Sequence, residues 1–255
     1  MDLGLRDKRA LVGGGSAGLG RGIAAVLAAE GARVAIVGRT QERLEAAATA
    51  LGAVPVAADL SEAEGPSSAV ASAVDRLGGL DLLVVNSGGP PAGTFEQLDE
   101  AAWARAIQGT LLAAVRFVRA ALPHLREGQE PSIVIILSSS VREPVAGLTS
   151  SNTLRPGLVG LVKDLAGQIA PIRINGLAPG RFDTDRVRYL DETRAAADSL
   201  TVDEVRRRHE ARIPLGRYGA TDEMGRVGAF LLSPAASYVT GAIVPVDGGM
   251  VRALP

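Results

Sequence analysis

Residues able to do chemistry fall in three places. The first is GGGSAGLG, residues 13–20. Glycines 14, 18 and 20 fit a G-x-x-x-G-x-G spacing, and glycines 13, 15 and 18 fit G-x-G-x-x-G. Glycine permits positive φ in a tight turn and lets backbone amides approach a pyrophosphate closely. With Ser16 and Leu19, the run is a candidate phosphate cradle if a strand precedes it and a helix follows. The second place is VAIVGRT, residues 34–40. A site for NAD usually has an acid at this strand end, to bond the ribose 2′-hydroxyl; Gly38 and Arg39 stand there instead. A guanidinium can hold a 2′-phosphate through two parallel charge-assisted bonds, which favours NADP over NAD; a solvated surface arginine is the alternative. The third is the hydroxyl-rich SSS at 138–140 together with SNTLR at 151–155, where Ser151, Asn152 and Arg155 open a helical pattern.

These residues need elements to position them. Brief, nearly all-apolar runs at 9–12, 34–37, 54–57, 82–85, 133–137, 172–177 and 243–246 read as strands covered on both faces. Amphipathic stretches at 19–30, 41–51, 67–77, 101–125, 152–169 and 221–232 read as helices between them. The alternation predicts one parallel sheet with helices on both faces, in a single domain over residues 1–255. Residues 181–215, rich in Arg, Asp and Glu, break the pattern and are predicted to form a lid or substrate loop.

Composition removes several kinds of function. The 255 residues are 47% apolar, enough for a full core, and the net charge of −1 gives no pull toward nucleic acid or acidic membranes. With no cysteine there is no thiolate or Cys-based metal chemistry, and His124 and His209 cannot make a His-rich cluster, so no metal site is expected. Each histidine is expected at a helix surface. The N-terminus does not read as a signal peptide, and no apolar stretch reaches the length of a membrane span, so a cytoplasmic protein is expected.

The sequence resembles the short-chain dehydrogenase/reductase family over essentially its whole length. The glycine run resembles that family's TGxxxGxG, with Gly13 in place of threonine. Asp59, followed by Leu60 in VAADLSE, resembles the acid placed beside the adenine. NSGG at 86–89 resembles NNAG, with Asn86 and Gly88 matching. INGLAPG at 174–180, ending on Pro179 and Gly180, resembles N-x-x-x-PG, and YVTGAIVPVDGG at 238–249 resembles the C-terminal signature. The resemblance implies a Rossmann-type doubly wound parallel sheet of about seven strands. It also implies a nicotinamide cofactor, a small-molecule substrate, and a homodimer or homotetramer.

In that family a serine holds the substrate oxygen, a tyrosine transfers the proton, a lysine four residues on lowers the tyrosine pKa, and an asparagine supports a water relay. Registered on GLVGLVKDLA, Ser151 falls where the tyrosine belongs, Arg155 where the lysine belongs, and Thr110 where the asparagine belongs. The serine matches Ser138 or Ser139, and the sequence leaves both open. Tyrosine has a pKa of about 10, whereas an aliphatic alcohol is nearer water at about 15.7, a gap of roughly 7–8 kcal/mol in acidity. Ser151 is therefore no substitute acid. Arg155 stays protonated but can donate to ribose hydroxyls or a developing oxyanion. Tyr189 is the one tyrosine whose neighbourhood could fold over the site. Arg181, Asp183, Asp185, Arg186 and Arg188 could meet a polar or anionic substrate, a solvated loop being the plainer expectation. Two functions follow: an NADP(H)-dependent oxidoreductase with a rewritten centre, with Ser138 or Ser139, Ser151, Asn152 and Arg155 as its site residues, or an NADP(H)-binding protein without turnover.

Overall fold

Side chains along each strand alternate between two apolar layers, and that alternation builds the molecule. In the computed structural model, which describes residues 2–253, Leu11, Val37, Leu83, Val85, Ile133 and Ile135 face one core. Ala10, Val12, Ile36, Leu82, Val84 and Val134 face the other. The strands are β1 (Arg9–Val12), β2 (Arg33–Gly38), β3 (Val54–Ala57), β4 (Leu82–Val85), β5 (Ser132–Ile136), β6 (Arg173–Pro179) and β7 (Ile243–Val246). All neighbours pair in parallel, in the order β3-β2-β1-β4-β5-β6-β7. The chain winds outward from β1 in one direction and then crosses back to β4. The C-terminal ends of β1 and β4 therefore border the crevice where open α/β sheets bind ligands.

Helices α1 (Gly18–Ala29), α2 (Gln41–Leu51) and α9 (Thr221–Leu232) cover one face. Helices α3 (Gly65–Leu77), α5 (Ala113–Arg126) and α6 (Thr149–Gln168) cover the other. Leu158 of α6 is core, with Leu161 and Leu165 packed against it. The expected seven-strand, doubly wound sheet is present.

The helix expected over 101–125 is not continuous. It comprises α4 (Glu100–Ala106), a π-helical turn (Ile107–Leu112) and α5. The wide turn carries Thr110 inward, where it is 3% exposed. Such turns are frequent at functional sites, and the apolar periodicity that suggests one helix does not reveal them. Residues 181–215 contain α7 (Asp185–Asp198), capped by the Thr184 hydroxyl, and α8 (Val202–Glu210), which opens on a capping box between Thr201 and Glu204.

Candidate functional site

β1 runs into a turn that only glycine backbone can fill. Gly14 and Gly18 have φ of +56° and +54°. A Cβ on Gly14 would lie 2.7 Å from Asn86 Nδ2, and one on Gly20 2.8 Å from the same atom. That amide nitrogen donates to Gly13 O at 3.2 Å, so the first residue after β4 shapes the turn after β1. Leu60, 6% exposed, packs beneath Gly13. Ser16 occupies the space that a side chain on Gly38 would take. α1 begins after Ala17, which offers no side-chain cap, so Leu19 and Gly20 of its first turn present amide N–H groups at the positive end of the helix. A cradle of this shape, at a helix N-terminus beside the crevice, fits a dinucleotide diphosphate. On the far side, Gly180 N donates to Val246 O at 2.9 Å, and Asp247 fills the place of a Cβ on Gly180, which closes Pro179–Gly180 against β7.

Arg39 and Asp59 face each other at the ends of β2 and β3, with Nη1 to Oδ2 at 3.6 Å and the Arg39 side chain 74% exposed. Partial burial works to raise the Asp59 carboxyl. Bonds from the Ser61 hydroxyl and amide, then the Arg39 charge, outweigh it and hold the group below its ordinary value.

The start of α6 meets the ends of β4 and β5. Ser138 Oγ accepts from Ser140 N at 3.1 Å and caps a short 3-10 turn (Ser139–Val141). Ser139, Ser140 and Ser151 are buried, and Ser140 Oγ and Ser151 Oγ are 3.2 Å apart. The structure thus brings to Ser151 a hydroxyl other than the two expected. Asn152 is committed elsewhere: Oδ1 accepts from Val145 N at 3.0 Å and Nδ2 donates to Val145 O at 2.9 Å. Its amide clasps the loop ahead of α6.

Arg155 Nη1 donates to Ile136 O at 2.8 Å and Leu137 O at 2.5 Å, and Nη2 reaches Gly88 O at 3.5 Å. The guanidinium borders a cavity of about 10 Å³ with Ser87, Gly88 and Thr110, a space on the scale of one water. Burial first, then the charge of Arg186, pushes the Arg155 pKa down to about 10, so it remains a cation at neutral pH.

The expectation of a solvated charged loop is corrected for Arg181, and that of a solvated helix face for His209. Asp191, 3% exposed, accepts from Arg181 Nη1 at 2.8 Å and from the Tyr218 hydroxyl at 2.8 Å. His209 lies between Arg181 Nη2 at 2.9 Å and the Tyr218 oxygen at 3.2 Å. Burial, then Arg181, lowers the His209 pKa, and burial raises that of Tyr218. The partners come from four segments, so no local spacing announces the network. Its single sequence signal is a histidine among the charges of the insertion and a tyrosine, Tyr218, just beyond it. Tyr189, on α7, is 55% exposed, and Arg186 lies 6.0 Å from its ring centroid.

A parallel sheet with this strand order, a glycine cradle at its crevice and hydroxyls at the neighbouring strand ends defines a dinucleotide-binding α/β protein. Residues 14–251 match the family profile described as Enoyl-(Acyl carrier protein) reductase. The chain is 31% identical over 258 residues to 3-oxoacyl-(acyl-carrier-protein) reductase FabG of Aquifex aeolicus, covering 98% of this chain and 100% of that protein. It is 32% identical to dehydrogenase/reductase SDR family member 4 of Oryctolagus cuniculus, covering 96% and 94%. The crystal structure of L-sorbose reductase from Gluconobacter frateurii, complexed with NADPH and L-sorbose, superposes with a TM-score of 0.94 at 28% identity over 100% of both chains. The chain belongs to the short-chain dehydrogenase/reductase family.

Proposed function

We propose that the chain is an NADP(H)-dependent oxidoreductase acting on a small carbonyl or alcohol substrate through a rewritten proton-transfer centre. One observation carries the reading: the glycine cradle has a shape that backbone alone can fill, while Ser151 and Arg155 stand on α6 where the family's text places its tyrosine and lysine. NADP(H), when bound, supplies or accepts a hydride. Arg39 supports the choice of NADP, because its exposed guanidinium at the end of β2 can reach a 2′-phosphate, and the similar sorbose reductase binds NADPH.

Protein groups then handle oxygen and proton. The Ser140 and Ser151 hydroxyls form a pair that can bond a substrate oxygen, with Ser138 and Ser139 setting the turn that aims them. Arg155, fixed by strand-end carbonyls, holds a positive charge beneath the site and stabilises negative charge on that oxygen without giving up its proton. The proton reaches the oxygen through water and hydroxyls. Residues 181–215 form a lid on a single dinucleotide-binding domain. Exposed Ile107 and Phe230 support self-association as a dimer or tetramer.

Thermal shift with NADPH and with NADH, followed by NADPH absorbance decay over ketones, aldehydes and acyl thioesters, tests the reading. Stabilisation by NADPH with turnover of at least one class is expected. Binding without turnover on any class would leave a cofactor-binding protein that does no redox chemistry, and absence of binding would end the proposal.

A further inference from the structure

Resting on that cofactor reading, we propose that Arg186 and Arg155 together form an anion site that takes a carboxylate of the substrate. Both guanidiniums touch the Gly88–Gly89–Pro90 turn, which follows β4. Arg155 Nη2 points at Gly88 O, and Arg186 Nη2 donates to Pro90 O at 2.7 Å. Arg186 Nε lies 3.1 Å from the place a Cβ on Gly89 would occupy, so this glycine makes room for it.

Several other partly buried arginines are compensated in one of two ways. Arg9 pairs with Asp81 and Arg181 with Asp191, each at 2.8 Å. Arg173 has no carboxylate but donates to four carbonyls, those of Leu231, Leu232, Ser233 and Val239. Arg186 has neither: among the described residues its guanidinium meets one carbonyl and no acid, with only the Tyr189 ring 6.0 Å away, and its charge in turn disfavours that of Arg155. A guanidinium carries five N–H donors, so most of those on Arg186 remain for a ligand. Two cations side by side in a half-buried crevice repel each other, and an oxyanion between them reverses the sign of that interaction.

Position selects the substrate over the cofactor as the owner of that anion. The diphosphate belongs at the cradle after β1, and Thr184, at the start of α7, lies beside Gly18 of that cradle. Arg186 is two residues further on and reaches across to the β4 turn, with Arg155 under it at the end of β5. The paired hydroxyls of Ser140 and Ser151 lie just beyond β5 and on the first turn of α6, the helix that carries Arg155. A molecule with a carbonyl near a carboxylate, an oxo acid, satisfies both groups.

The test titrates 2-oxobutanoate and 4-oxopentanoate, each against its neutral amide, at constant ionic strength with and without saturating NADPH, following thermal shift and calorimetry. An acid that binds where its amide does not is expected. R186Q should weaken the acid by about tenfold to a hundredfold, and R186K should recover part of the loss. NADPH affinity should stay within about twofold in both variants. Equal affinity for acid and amide, or no binding of either acid, overturns the proposal. So does a loss of NADPH affinity in R186Q as large as the loss for the acid, which would give the anion to the cofactor. Failure of NADPH to bind the wild-type protein would instead count against the cofactor reading, and the titration without NADPH would still decide the anion site.

Discussion

Arg39 binds its nearest carboxylate loosely, at 3.6 Å and with three-quarters of its side chain exposed. An exposed ion pair of that kind is worth little, so a 2′-phosphate can take the guanidinium from Asp59 at small cost. A doubly charged phosphate accepting two parallel bonds is the stronger partner. Arg39→Ala should therefore weaken NADPH binding by about tenfold or more, while NADH, which lacks the phosphate, changes by less than about twofold. Paired calorimetric titrations measure both. Equal losses would show that Arg39 contacts the adenine or ribose common to the two cofactors. The places of Arg39 and the glycines could be read from the sequence because each stands at a fixed position after a strand. The contacts of Ser140 and Asn152 could not, because they depend on how the 138–148 loop folds onto α6.

At the scale of elements, strands were legible because a strand buried on both faces must be apolar throughout. The break at the π-helical turn was not, since one extra residue per turn leaves the apolar spacing nearly unchanged. The Asp191 network was invisible for another reason: Arg181 and His209, 28 residues apart in sequence, meet only after α7 and α8 fold. That network gives the α7–α8 segment a pH dependence. His209 faces Arg181, Asp191 and Tyr218, with Arg212 adding a further positive charge. Its folded pKa lies below the ordinary 6.5, so the unfolded segment binds the proton more readily. The stabilisation is complete above about pH 6.5 and declines as pH falls toward the folded pKa. Hydrogen exchange, corrected for its intrinsic pH dependence, should show α7 and α8 opening more readily as pH falls below about 6.5. His209→Gln should flatten that trend relative to wild type. An unchanged slope in the variant would mean that another group drives the opening.

For the whole molecule, cofactor affinity and stability share one contact, that between α1 and α9. A Cβ on Gly22 would strike the Thr221 backbone oxygen, and one on Gly225 would strike Gly22 O and come within 2.7 Å of Val26 Cγ2. The two helices thus approach to backbone contact, with no flexible side chain between them to absorb added volume. α1 is also the helix whose N-terminus completes the phosphate cradle, so anything that pushes it aside moves Leu19 and Gly20 relative to Asn86. Gly225→Val should destabilise the protein by about 3 kcal/mol, at the upper end for an overpacked site. A β-branched residue near the helix start adds a little, and backbone rather than rotamers must yield. In a chain of this length that shift lowers Tm by roughly 6–12 °C. NADPH affinity should fall with it under conditions where the variant remains folded, because the site, on the far side of α1 from the substitution, is displaced along with the helix. A variant that lost stability but kept full NADPH affinity would show that α9 moves and α1 does not. The cradle would then be held by β1 and Asn86 alone.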